Sequence, residues 1–278
     1  MEKKEGQVRD NLCYCSSFSC IEGTALELTY NYGTEADDAF GGYYAGNQEK
    51  DGFGHVGFNT DDVYAACEKL EAAGVTFKKK PDEGRMKGLA FAYDPDGYWV
   101  EILKRATSSK IANYFNFSQT MLRIKDPANT IPFYEALGMT VVRSKNYGDF
   151  SNYFLASSSN VEDEFDYAAL SDEEAKANMT DMSGPFLELT HSHGTEKDDG
   201  FKHHTGNEDG RQGFGHIGFL VDDVYEACDD IRKMGYGFKK EPDGGSMKGL
   251  AFAWDPDGYP VEIIKRGGQD FGDKRVEP

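Results

Sequence analysis

The residues best suited to chemistry are polar side chains inside short apolar segments. His55 lies in "FGHVGF", Glu101 in "WVEILK", Gln119 in "SQTMLRI" and Glu188 in "FLELTH". A carboxylate buried among apolar residues costs several kcal/mol unless it is paired or binds a metal ion. Taken singly, a strand His is commonly hydrogen-bonded and a strand Glu commonly faces solvent. Together, imidazole, carboxylate and amide groups are the donors that an open divalent-metal site uses.

Most of this pattern occurs twice at one constant offset. "FGHVGF" (53–58) returns as "FGHIGF" (214–219), and "MKGLAFAYDPDGYWVEILK" (86–104) returns as "MKGLAFAWDPDGYPVEIIK" (247–265). "ALELTYNYGTEADDAF" (25–40) likewise pairs with "FLELTHSHGTEKDDGF" (186–201). Two long copies of this kind predict two similar domains rather than a solenoid. A second candidate set of site residues follows from the repeat: Glu27, His216 and Glu262.

The two copies are unequal in length. Residues 118–158 would pair with positions before residue 1, so we expect the first copy to lack a strand, a helix and two further strands. The domain prediction is a shortened first copy (1–105), a linker (106–117), a second copy (118–266) and a tail (267–278). Residues 159–183 are expected to be a polar, acidic loop.

Each module shows strand, helix and three strands in order. "DDVYAACEKLEAAG" predicts an amphipathic helix with an Asp cap and an end at Gly74. Pro132 predicts that the corresponding later helix begins near Thr130 or bends there. The fold class is therefore α+β, with paired βαβββ modules forming cup-shaped, eight-stranded barrels. We expect a complete middle barrel over about 53–195, and an incomplete outer one that joins 22–40 to 214–266.

Composition narrows the classes of function. The chain has 278 residues, 38% hydrophobic, with a net charge of −19, which argues against nucleic acid or an anionic membrane as a partner. No apolar run is long enough for a membrane span and no signal peptide is evident, so a cytoplasmic protein is expected. Five cysteines do not predict a disulfide framework. Cys67 and Cys228 fit buried helix positions. Cys13, Cys15 and Cys20 lack an evident fourth metal ligand.

Several motifs together resemble one known family. "QTMLRIKDP", "FYEALGMT", "LELTHSHGTE", "GFGHVGF" and "KKKPDEGRMKGLAFAYDPDGYWVEILK" are similar to glyoxalase I of the eukaryotic, zinc-using type, in the vicinal-oxygen-chelate superfamily. The resemblance extends from about residue 24 to 266. It implies a lyase that converts the hemithioacetal of methylglyoxal and glutathione to S-lactoylglutathione through an enediolate, as part of methylglyoxal detoxification. It also implies a zinc cofactor, with nickel or cobalt as alternatives, and a monomer whose two copies form an internal pseudo-dimer.

The resemblance assigns roles residue by residue. It implies metal binding by His55, Glu101, Gln119 and Glu188, with Glu101 and Glu188 moving the proton. The glutathione contacts that it implies are Arg123, Lys79, Arg85, Met86, Lys87 and Ser192. Ser192 stands where the family has Asn, and Asp51 stands where it has Arg, which puts one carboxylate contact in doubt. In the outer barrel Pro260 stands where the complete barrel has Trp99, Asn31 keeps the family's Asn, and no counterpart of Gln119 is present.

Two rival functions remain open at this point. An iron-dependent extradiol dioxygenase of the same fold needs two His and one carboxylate on one metal, and neither barrel offers a second in-strand His. A non-catalytic module that binds glutathione conjugates would fit the incomplete first copy and the changes at Asp51 and Ser192.

Overall fold

The structure is a computed structural model that describes residues 24–47, 50–104, 115–162, 165–182 and 184–267. Its strands are β1 (Phe53–Thr60), β2 (Phe77–Lys79), β3 (Ala90–Tyr93), β4 (Trp99–Lys104), β5 (Asn116–Ile124), β6 (Met139–Asn146), β7 (Phe150–Ser157), β8 (Phe186–Ser192), β9 (Asn207–Glu208), β10 (Arg211–Gln212), β11 (Ile217–Val221), β12 (Phe238–Lys240), β13 (Ala251–Trp254) and β14 (Pro260–Lys265). The helices are α1 (Val63–Ala72), α2 (Pro127–Ala136), α3 (Asp172–Asp181) and α4 (Val224–Lys233), with short 3₁₀ turns at Thr34–Ala36, Ser158–Asn160, Tyr167–Ala169 and Thr195–Lys197.

One sheet contains the predicted complete barrel. Its eight strands follow the order β2-β3-β4-β1-β5-β8-β7-β6, which joins two four-stranded modules through an antiparallel contact between β1 and β5. Within each module the first strand runs parallel to the last, β1 with β4 and β5 with β8. This is the paired βαβββ arrangement expected from the sequence, and the fold class is confirmed.

The helices start where short acidic side chains accept hydrogen bonds from the first turn. Asp62 caps α1 and Asp126 caps α2, each through its carboxylate. After α1 the chain turns at Gly74, whose positive φ of 87° suits glycine. The predicted helix start near Thr130 was wrong, because α2 begins at Pro127 and includes Pro132, while the alternative of a bend at this position stays a prediction. Pro127 at the helix start needs no N–H partner, so it favours this earlier beginning.

The segment expected to be a loop contains a helix. α3 lies within residues 159–183 and begins with a capping box in which Ser171 and Glu174 bond each other's backbone N–H groups. Its first turn carries Asp172 and Glu173, whose charges complement the helix N-terminus. The acidic composition that suggested a loop is therefore also a helix-start signal.

The second sheet has four strands in the order β11-β14-β13-β12. Within the described residues, 24–47 form no strand, and their link to the second copy includes one bridge between Tyr44 and Gly213. The outer barrel is thus incomplete in the described part of the chain, as expected. β5 begins at Asn116, so the last two positions of the predicted linker 106–117 belong to that strand.

A single apolar core joins the two sheets. It includes Leu122, Tyr134 and Leu189 from the eight-stranded side with Ile231 and Tyr259 from the four-stranded side. α2 and α4 pack in this shared region. Cys67 and Cys228 are free and buried, as predicted, whereas Cys13, Cys15 and Cys20 lie outside the described residues. No helix among the described residues has the length and apolar character that crossing a bilayer requires.

Candidate metal centre

Strand register brings four polar side chains to one point inside the complete barrel. Gly57 of β1 pairs with Glu101 of β4 on one side and with Gln119 of β5 on the other. His55 lies two residues before Gly57, so its side chain leaves the same face of β1. Glu188 enters from β8, the parallel neighbour of β5. Four residues far apart in sequence therefore meet because β1, β4, β5 and β8 are adjacent.

The four side chains are in mutual contact, and each of the four residues is at most 6% exposed. Nε2 of His55 lies 3.1 Å from Oε2 of Glu101 and 3.5 Å from Oε2 of Glu188. The amide nitrogen of Gln119 donates to the same two oxygens, at 2.9 Å and 2.6 Å. One ligand atom each from His55, Glu101 and Glu188 lies within 4.8 Å of the others, and no other such group of His, Cys, Asp and Glu occurs among the described residues.

The cluster carries an excess of buried negative charge. Burial by itself would lower the pKa of His55, but Glu101 and Glu188 outweigh it and raise that pKa to about 9. Two buried carboxylates need a compensating cation, and their Oε2 atoms both face His55 Nε2 within the same group of ligand atoms. The amide of Gln119 presents either its nitrogen or its oxygen after a half-turn, so it fits a proton-bearing or a metal-bearing centre. The residues present therefore fit a divalent metal ion.

Two polar side chains near the cluster were not predicted. Asn152 of β7 donates a hydrogen bond from Nδ2 to Oε1 of Glu188 at 2.5 Å. Trp99, which pairs with His55 in the β1–β4 register, has a buried Nε1 with no hydrogen-bond partner among the described residues. The signal for Asn152 was present in "FSNYFLAS", where one amide interrupts an apolar strand, as Gln119 does in its own strand.

Arg123 lies on the same strand face as Gln119, four residues further along β5. Its guanidinium donates to the backbone carbonyl of Phe53 at 3.4 Å and to the side-chain oxygen of Asn47. Burial lowers the pKa of Arg123, as expected for a cation largely removed from water. The role of Arg123 as a substrate contact stays a prediction.

The other predicted substrate contacts lie on more exposed segments. Lys79 donates to the carbonyl of Leu89 at 2.6 Å, and Lys87 donates to the carbonyl of Asp82, so both cations hold the β2–β3 loop. Within that loop Arg85 is exposed and Met86 is 51% exposed. Ser192 ends β8 and is exposed. Arg85, Met86, Lys87 and Ser192 are therefore solvent-exposed, unlike the four buried cluster residues.

The second set of residues comes together less tightly. His216 lies 3.4 Å from Glu27 and 3.3 Å from Glu262, and the side chain of Glu27 is 42% exposed. The hydrogen bond with Glu262 is the main cause of a raised pKa at His216, and burial opposes it. Asn31 is exposed and donates to the hydroxyl of Tyr43 at 3.1 Å. Within the described residues this site has no amide corresponding to Gln119.

The remaining histidines form separate contacts. His191 lies in β8, and its Nε2 is 2.9 Å from a carboxylate oxygen of Glu196. Asp51 binds Nδ1 of His203 at 2.9 Å and Nδ1 of His204 at 2.6 Å. Burial raises the pKa of Asp51, but the bonds from His203 and His204 outweigh it and lower that pKa. Asp51, in the first copy, thus connects to the second copy through its contacts with His203 and His204.

Comparison with known proteins agrees with this architecture. The model of the Glyoxalase/Bleomycin resistance protein/Dioxygenase superfamily matches residues 15–102 and 116–263. The chain is 43% identical over 246 residues to a lactoylglutathione lyase of Schizosaccharomyces pombe, an alignment that covers 87% of this chain and 76% of that protein. It is 37% identical over 254 residues to glyoxalase I of Saccharomyces cerevisiae, which covers 87% of this chain and 72% of that protein.

Solved structures give the same result. The crystal structure of glyoxalase I from Zea mays superimposes with a TM-score of 0.57 and 26% identity, over 77% of this chain and 68% of that one. The repeated modules, the buried cluster and the similarity over most of the chain agree with one another. The chain belongs to the glyoxalase I family within the Glyoxalase/Bleomycin resistance protein/Dioxygenase superfamily.

Proposed function

We propose that this protein is a lactoylglutathione lyase, which isomerises the hemithioacetal of methylglyoxal and glutathione to S-lactoylglutathione. The observation that carries the proposal is the buried cluster of His55, Glu101, Gln119 and Glu188 in the complete barrel. The relatives that share this architecture over most of the chain are lactoylglutathione lyases.

His55, Glu101, Gln119 and Glu188 would hold a zinc ion, with nickel or cobalt as alternatives for the same donor set. When bound, the ion supplies Lewis-acid stabilisation of the negative charge that develops on the substrate oxygens. Two carboxylates neutralise a divalent cation, so the site accepts additional negative charge during the reaction without holding it permanently.

Glu101 and Glu188 would carry out the proton transfer. The isomerisation removes a proton from carbon next to a carbonyl and returns it to the neighbouring carbon, which requires a base within hydrogen-bond distance of both carbons. The Glu101 carboxylate is assigned this role, with Glu188 as its counterpart across the cluster. Burial of both groups excludes bulk water, which would otherwise compete for the transferred proton.

Glutathione, the tripeptide part of the substrate, would lie along the predicted substrate contacts outside the cluster. Arg123 is a half-buried cation four residues after Gln119 on β5, and it suits a substrate carboxylate. Lys79, Arg85, Met86 and Lys87 would contact the thiol compound from the β2–β3 loop, and Ser192 from the end of β8. Asp51 is already bonded to two histidines, so glutathione must bind here without a basic side chain at that position.

The test is thioester formation from methylglyoxal and glutathione by zinc-loaded protein. Glu101→Gln should retain zinc and lose at least about 100-fold in turnover, since a positioned base typically contributes 10²–10⁴-fold. Glu262→Gln is the matched control, because Glu262 is the repeat partner of Glu101 in the second site. It should leave the rate within about twofold.

Undiminished turnover in Glu101→Gln would contradict the assignment of the base. Equal losses in the two variants would show that both sites contribute. Binding of a glutathione conjugate without turnover in the parent protein would instead favour a non-catalytic binding module.

A further inference from the structure

The two carboxylates of the cluster are held differently, and Asn152 is the cause. Asn152 lies opposite Thr190 in the β7–β8 register and contacts both Thr190 and Glu188. Its Nδ2 donates to Oε1 of Glu188 at 2.5 Å, and its Oδ1 accepts from the hydroxyl of Thr190 at 3.0 Å. A carboxylate only accepts hydrogen bonds, so the amide must turn its nitrogen toward Glu188. The hydroxyl of Thr190 then donates to the amide oxygen of Asn152, so both ends of the amide are hydrogen-bonded.

Glu188 therefore has both oxygens engaged. Oε1 receives the bond from Asn152, while Oε2 faces Gln119 at 2.6 Å and His55 at 3.5 Å. A carboxylate bonded on the oxygen that points away from the shared centre is fixed in angle and offers the centre one oxygen. Such supporting bonds orient metal ligands and strengthen their binding.

Glu101 lacks this support. Its contacts with Gln119 at 2.9 Å and His55 at 3.1 Å both involve Oε2. In the part of the chain that the structure describes, no hydrogen bond to Oε1 of Glu101 is present. The two glutamates are thus equally buried but unequally restrained.

We propose that Asn152 is a positioning residue that anchors Glu188 as a fixed metal ligand and leaves Glu101 as the carboxylate free to move. This inference rests on the proposed function and deepens it, because it names what makes the two glutamates unequal. Asn152 acts through Glu188 and need not touch the substrate. The Thr190–Asn152–Glu188 chain is a property of β7 and β8 in the complete barrel.

The first test measures zinc affinity and does not depend on enzymatic turnover. Zinc affinity of the metal-free full chain is measured by competition with a chelator for the parent, Asn152→Leu and Thr190→Val. Asn152→Leu keeps a similar volume but removes the donor, and it should weaken zinc binding by about 10–100-fold. Thr190→Val removes only the hydroxyl that orients the amide, so a smaller loss in the same direction is expected. Unchanged circular dichroism shows that the fold is kept.

A double-mutant cycle separates positioning from packing. In the Glu188→Ala background no carboxylate remains for Asn152 to hold, so Asn152→Leu should cost no further zinc affinity. With saturating zinc, Asn152→Leu should lower kcat and leave KM within about twofold, since Glu188 and not the thiol compound loses its support.

Zinc affinity of Asn152→Leu within twofold of the parent would overturn the proposal. So would an equal loss in the parent and Glu188→Ala backgrounds, because Asn152 would then act elsewhere. An inactive parent that binds zinc with the expected Asn152 dependence would count against the proposed reaction and still support the anchoring of Glu188.

Discussion

At the residue scale, the cluster shows why the sequence could predict its members. His55, Glu101, Gln119 and Glu188 are isolated polar side chains in apolar strands, and three of them have repeat partners. Burial makes such residues costly, so a paired or metal-bound role was the physical expectation. Asn152 follows the same pattern, but no repeat of it in the first copy identified it as a candidate. Its contact with Glu188 depends on the register of β7 and β8, which spacing alone does not give.

Gln119 bridges the negatively charged carboxylates of Glu101 and Glu188. Its amide nitrogen donates to both Glu101 and Glu188, so Gln119→Glu would place a third carboxylate against them. Without metal the unpaired buried charge costs several kcal/mol, and the melting temperature should fall by roughly 5–10 °C. Zinc binds the folded state and should recover part of this loss. Thermal unfolding in chelator and in zinc measures both effects.

Gln212→Glu provides the control for that experiment. Gln212 is an exposed residue of the short strand β10, and its backbone carbonyl accepts a hydrogen bond from the N–H of Tyr44. Its replacement should change the melting temperature by no more than about 2 °C, as for most surface substitutions. A similar loss in both variants, or no loss for Gln119→Glu in chelator, would show that the cluster tolerates a third carboxylate.

At the element scale, the glycines of "FGHVGF" are explained by how closely β1 approaches β5. A Cβ on Gly57 would lie 2.7 Å from Cγ and 3.4 Å from Cδ of Gln119. Gly57→Ala should therefore displace Gln119 and weaken zinc binding about tenfold, since overpacking costs about 1–3 kcal/mol. Zinc competition with a chelator measures the loss.

The repeat supplies the matched variant, Gly218→Ala in β11. A Cβ there would meet Oε2 of Glu262 at 3.2 Å, at the end of a side chain that can turn aside. We expect this variant to bind zinc like the parent. The steric explanation fails if Gly57→Ala binds zinc normally, or if the two substitutions have the same effect.

Elements with a simple periodicity and a cap were predictable, and those fixed by tertiary contacts were not. α1 begins after Asp62 and ends before Gly74, as its sequence indicates. α3 was missed because its acidic composition was taken as a loop signal, although Ser171 and Glu174 form a capping box. Pro132 remains inside α2 because the helix starts at Pro127 and packs into the shared core. Tertiary packing here overrides a local helix breaker.

At the scale of the whole molecule, a buried aspartate joins the two sheets. Asp255 precedes β14 and accepts a hydrogen bond from the hydroxyl of Tyr134 in α2 at 2.8 Å. Its Oδ1 accepts from the backbone N–H groups of Asp257 at 3.0 Å and Tyr259 at 2.8 Å. Burial, with help from the charge of Asp257, raises the pKa of Asp255 to about 7 despite these bonds.

This raised pKa predicts how stability depends on pH. Between pH 4 and pH 7 the unfolded chain releases the Asp255 proton while the folded chain retains it, so the free energy of unfolding falls as pH rises. The rise of the pKa from 3.8 to about 7 corresponds to roughly 4 kcal/mol of unfolding free energy, which is lost as pH rises through 7. Asp255→Asn keeps the acceptor for both N–H groups and carries no charge. Relative to the parent, it should gain roughly 3 kcal/mol between pH 4.5 and pH 7.5.

Urea unfolding of the parent and Asp255→Asn at these two pH values measures that gain. Asp94→Asn is the internal control, because Asp94 holds the same position in the first copy but is only half-buried. Burial raises the pKa of Asp94 as well, so its variant should show the same sign with a smaller amplitude. A pH-independent difference for Asp255→Asn would mean that this carboxyl ionises normally in the folded protein. The contact between α2 and the four-stranded sheet would then rest on apolar packing rather than on the protonated carboxyl of Asp255.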